Sequence, residues 1–122
     1  MKPAAGDVEA RAAVWLAYSR LYLDTDYRRE VHAAARDAAA SAYTEAELRA
    51  ILLHEVHPIL RSNLVATAGV WDGFDPAWLR AAILRRSRRP RWLRLDGCLR
   101  RQAEHLWRLL APRIRRLRAA AG

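Results

Sequence analysis

Three observations predict an all-α fold, a single-domain irregular bundle of five or six helices with no sheet. Apolar residues recur at spacings of three and four along most of the chain, as one buried helical face requires. The breaks between these runs carry helix-terminus chemistry. Thr44-Glu45-Ala46-Glu47 reads as a capping box, and Asp75-Pro76 as an N-cap with proline at the first helical position. No stretch of four or more residues alternates as a half-buried strand would. The 122 residues suit one domain. Alanine supplies 25 of the apolar residues, yet the larger ones that remain are enough for one packed core. Residues 1–84 read as a helical core, and 85–122 as an Arg-rich linker and C-terminal helix packed on the same domain.

The elements follow in order. Asp7 caps a first helix running to about Leu23, with Val8, Ala12, Trp15, Tyr18 or Ser19, and Tyr22 on one face. Thr25 or Asp26 caps a second, about Tyr27 to Ala42, which gathers Tyr27, Val31, Ala34, Ala35 and Ala38. So much alanine implies close helix–helix approach. The capping box opens a third helix with Leu48, Ile51, Leu52 and Val56 inward, and Pro58 predicts a kink or break before a further turn or two through Leu64. Gly69 to Asp75 is the clearest loop. After it, Trp78, Leu79, Ala82 and Ile83 form the buried stripe of a helix that should end by Pro90. A last helix, Asp96 to about Ala119, places Leu99, Ala103, Leu106, Leu110, Ile114 and Leu117 on one face, with a bend expected at Pro112.

Charge is split along the chain. Residues 1–79 carry eight basic groups against eleven acids, whereas 80–122 carry fourteen Arg against Asp96 and Glu104. Such a division points to an anionic partner. Arg outnumbers Lys 21 to 1, so codon bias accounts for part of the excess. Candidate partner- or anion-binding residues are Arg85, Arg86, Arg88, Arg89, Arg91 and Arg94, with Arg101, Arg108 and Arg115 at sevenfold spacing on the last helix. Trp92 among these arginines fits stacking on single-stranded nucleic acid or contact with an anionic membrane surface, and equally a linker docked on the bundle.

Catalytic and metal patterns are incomplete. His54-Glu55-Val56-His57 falls one residue short of the zinc-peptidase helix and runs into Pro58. Glu55 is better read as a partly buried structural acid, paired with an Arg or capping a neighbouring helix. Asp24-Thr25-Asp26 lacks the glycine and further oxygen ligand of a calcium loop. The glycines around Trp71 lack the Lys-Ser/Thr of a phosphate loop, and Cys98 has no base beside it. Glu55, Pro58 and Asp75 are therefore assigned structural roles, with no metal and no cofactor expected. Trp71, Asp72 and Phe74 form either a recognition loop or a plug over the core, and the usual burial of large aromatics favours the plug.

The longest charge-free run, Ser62 to Trp71, is about half of a membrane span. No secretory signal is visible, and the lone Cys98 suits a reducing cytoplasm.

Certain strings resemble a family of small bacterial proteins of unknown function. They are Trp15-Leu16-Ala17-Tyr18-Ser19 with Leu21-Tyr22-Leu23-Asp24-Thr25, then Glu55-Val56 with Pro58 and Leu60, then Asn63-Leu64. Ala68-Gly69-Val70-Trp71-Asp72-Gly73-Phe74-Asp75 with Trp78-Leu79 completes the pattern. It spans roughly residues 14–84 and leaves the basic tail outside. The resemblance implies a bacterial cytoplasmic domain and brings no activity, cofactor or catalytic residue. The reading is a non-enzymatic interaction protein, of immunity or adaptor type, binding an acidic protein partner through its basic surface. The alternative is a nucleic-acid-binding module using the same arginines, with an enzyme third.

Overall fold

In a computed structural model of the chain, the described residues are 6–22, 27–63, 75–88 and 100–121. They form α1 (Val8–Ser19) with a 3-10 turn (Arg20–Tyr22), α2 (Tyr27–Ala40), α3 (Glu45–Ile51), a π turn (Leu52–Val56), α4 (His57–Asn63), α5 (Pro76–Ser87) and α6 (Arg100–Ala121). No strand occurs among these residues. The fold is an all-α bundle.

Two helix starts are built as their sequences require. Thr44 Oγ1 accepts the Glu47 amide at 3.2 Å, while Glu47 Oε1 accepts the Thr44 amide at 2.9 Å. These bonds to Thr44 hold the Glu47 carboxyl below its ordinary range. Asp75 accepts the Trp78 amide at 3.1 Å, with Pro76 at the first helical position. Asp7 precedes α1 but makes no side-chain cap bond. Its carboxylate turns instead to Arg11 and Tyr43.

The core takes side chains from every helix. Val31, Ala34, Ala35 and Ala38 of α2 are buried, and α6 packs more extensively on α2 than on any other element. Alanine at three of those four positions permits this close approach. From α6 come Ala103, Leu106, Leu110 and Ile114, together with Trp107 and Ala111, while Leu117 lies at the edge. Trp15 and Tyr18 of α1 are buried, and the Tyr18 hydroxyl donates to the Leu48 carbonyl. Burial pushes the Tyr18 phenol well above its usual range. Leu79, Ala82 and Ile83 close the α5 side, with Trp78 half-buried against them.

Of the kink or break expected at Pro58, the break does not occur. The backbone instead widens to a π turn over Leu52–Val56, in which the His57 amide bonds to the Leu52 carbonyl, and helix resumes through Asn63. Proline has no N–H to offer the carbonyl four residues back, at His54. That oxygen accepts Arg86 Nη1 from α5 at 2.9 Å. The widened turn and the borrowed guanidinium together let a buried proline stand inside the helix.

Other boundaries shift modestly. The first helix gives way to a 3-10 turn at Arg20, α5 ends at Ser87, and α6 continues through Pro112 to Ala121. Several expectations lie outside the described residues: the Thr25 or Asp26 cap, the loop with Trp71, Asp72 and Phe74, Leu99, and the start of the last helix at Asp96. Among the described residues no helix is long and apolar enough to cross a membrane.

Candidate functional site

The basic half of the sequence resolves into arginines with different employment. Arg85 and Arg88 are exposed at the end of α5, and Arg101, Arg108, Arg115 and Arg116 are exposed along α6. Arg115 is engaged by Glu45, which raises its pKa. Arg86 is held on the His54 carbonyl, and Arg113 donates to the Leu109 carbonyl. Arg89, Arg91 and Arg94 lie outside the described residues, as do Trp92 and Cys98. Arg118, not singled out by the sevenfold spacing, turns inward. Its guanidinium donates to the carbonyls of Ala38, Ala39, Ser41 and Tyr43, at 3.4, 3.2, 3.3 and 2.5 Å. It thus binds the end of α2, where unsatisfied carbonyls and the helix dipole favour a cation.

The acids are largely spoken for. Glu55 and Asp7 share Arg11, Glu104 pairs with Arg49, Asp37 with Arg20, and Glu9 with Arg80. Among the described residues, Arg85, Arg88, Arg101, Arg108 and Arg116 have no carboxylate in ion-pair contact. Exposed Arg29 and Arg36 of α2 likewise lack such a contact, so the unpaired positive charge lies at the surface, most of it on α5 and α6.

Glu55 sits in a buried polar cluster. Its two oxygens accept Arg11 Nη1 at 2.5 Å and Trp15 Nε1 at 2.9 Å. Arg11, only 1% exposed, also reaches Asp7 Oδ2 at 3.4 Å, and that oxygen accepts the Tyr43 hydroxyl at 2.6 Å. Burial pushes the Glu55 carboxyl up, although the Trp15 bond and the Arg11 charge oppose it. Burial and then the bond to Asp7 push the Tyr43 phenol up to about 12. The arginine partner foreseen for Glu55 is Arg11. Its burial was not foreseen, although 11, 15, 18 and 22 share one helical face and Arg11 occupies the first of those positions.

His54 and His57 part company. His54 is exposed, whereas His57 is buried with Nδ1 2.5 Å from the Tyr22 hydroxyl. The Tyr22 and His57 rings stand 5.6 Å apart at 46°. This pair borders a cleft of about 340 Å3 shared with Arg61 of α4 and with Arg101, Gln102, His105 and Leu106 of α6. Arg61 Nη1 donates to Gln102 Oε1 at 2.9 Å. Among the described residues no group of three or more His, Cys, Asp or Glu comes together as metal ligands would.

A family model described as a domain of unknown function (DUF7079) matches residues 9–118. The chain belongs to this family. The DUF7079 match is consistent with the resemblance to an uncharacterised family, but it is longer than the 14–84 expected. It takes in the arginines of α5 and most of α6, so the basic half is part of the DUF7079 domain and not an appendage to it. Neither the comparison with curated proteins nor that with solved structures returned a match.

Proposed function

We propose that the chain is a non-enzymatic helical interaction protein that binds an acidic partner protein through α5 and α6. The supporting observation is that five exposed arginines without an acid in contact, Arg85, Arg88, Arg101, Arg108 and Arg116, fall on α5 and α6, against Arg29 and Arg36 on α2. The three on α6 span sixteen residues, about 22 Å of helix. That length suits a protein surface of ordinary interface size. Charge complementarity of this kind steers encounter and selects the partner more than it adds affinity.

A phosphate backbone would use the same arginines, and its signature is salt dependence. Neutralising about six phosphates gives a slope of log affinity on log salt near −5, a loss of about three orders of magnitude between about 50 and 200 mM. The expected result is capture of a partner from nuclease-treated extract, lost in an Arg101→Glu, Arg108→Glu, Arg116→Glu variant that keeps its helical circular dichroism. Submicromolar binding of DNA or RNA by the purified protein at about 150 mM salt overturns the reading.

A further inference from the structure

The cleft between the 3-10 turn, α4 and α6 is open and lined by both apolar and cationic side chains. The tilted Tyr22 and His57 rings line one side of it, and their hydrogen bond turns the Tyr22 hydroxyl and His57 Nδ1 toward each other. Leu106, largely buried, adds aliphatic surface. Arg61, Arg101 and His105 also line the cleft, and among the described residues no carboxylate does. Arg61 commits Nη1 to Gln102 and keeps its other N–H donors. Arg101 is exposed and has no partner among the described residues.

An open, mostly apolar cleft lined by two arginines suits a molecule with a flat apolar body and an anionic head. A volume of about 340 Å3 lies at the small end of ligand sites, which limits the body to about one ring. The head is better matched by a phosphate than by a carboxylate. Two arginines present more donors and more positive charge than two oxygens with one charge can satisfy, whereas a phosphate monoester offers three oxygens and close to two charges. We propose that this cleft binds a small aromatic phosphate monoester, its ring against Tyr22, His57 and Leu106 and its phosphate at Arg61 and Arg101. The cleft shares Arg101 with the partner-protein reading, but Arg108 and Arg116 lie outside it.

The test is an NMR titration of the full chain with phenyl phosphate at about 150 mM salt, with inorganic phosphate and benzoate as comparators. Saturable shifts at Tyr22, His105 and Leu106 are expected, with phenyl phosphate binding about tenfold more tightly than either comparator. Arg101→Gln and Arg61→Gln should each weaken it about tenfold, and Arg116→Gln should leave it unchanged. Three outcomes overturn the assignment: no saturation in the low millimolar range, equal affinity for either comparator, or an equal loss in Arg116→Gln, which marks a general charge effect.

Discussion

Replacing Arg11 with methionine is expected to cost the fold about 3 to 5 kcal/mol at neutral pH, because it strands the Glu55 carboxylate among buried groups. Glu55→Gln should be milder, at about 3 kcal/mol. The amide oxygen can still accept Trp15 Nε1, and Asp7 remains beside the buried guanidinium. Combining the two changes should recover part of the loss, since position 55 then carries no charge, while Asp7 loses Arg11 but keeps the Tyr43 hydroxyl. The pH dependence has a definite sign. A carboxyl whose folded pKa lies above its unfolded value holds its proton more tightly when folded, so stability falls as pH rises through that folded value. Burial already raises Glu55, and losing Arg11 removes one of the influences holding it down. The Arg11→Met penalty should therefore shrink as pH is lowered from neutral toward about 5. Urea midpoints across that range measure it, and a penalty that grows on acidification contradicts the assignment.

Arg118→Met should cost about 2 to 3 kcal/mol, although the residue lies in the last turn of the last helix. Its guanidinium is shared among four carbonyls at and beyond the end of α2, and methionine preserves the stem but none of the donors. Arg118→Lys keeps the charge without the planar fork and should recover about half of the loss. Hydrogen exchange distinguishes this from simple fraying. Faster exchange should appear in the last turn of α2, some 75 to 80 residues earlier in the chain, as well as at the C-terminus itself. Faster exchange confined to the C-terminus would show that the contact contributes nothing.

What the sequence made legible is what local periodicity encodes. The α2 stripe and the α6 stripe from Ala103 to Ile114 were readable because their apolar residues hold one phase and their alanines imply close contact. Both caps at Thr44 and Asp75 were readable because each is a matter of three or four adjacent residues. Partnerships across the chain were not. Glu55 announced the need for a cation, but 44 residues separate it from Arg11, and only the folded chain chooses among the arginines. The same holds for Arg118, whose place on a basic helix concealed its contact with α2. Of the cleft, Arg101 was singled out for its charge alone. Tyr22, His57 and His105 carry no local pattern that would unite them.

The π turn between α3 and α4 has a further meaning when residues are counted across it. Leu48, Leu52, Val56 and Leu60 are all fully buried, a recurrence of four kept up over three steps. At about 3.6 residues per turn, each such step overshoots by about 40°, so an ordinary α-helix would carry Leu60 about 120° away from Leu48. Bonding across five residues underwinds the backbone and cancels most of that drift. Twelve residues here complete the three turns that about eleven complete elsewhere. The helix thus stores one residue in excess of what its buried face needs. The surplus lies in the turn that carries Glu55, so the carboxylate reaching Arg11 and Trp15 stands on backbone that apolar packing alone would not require.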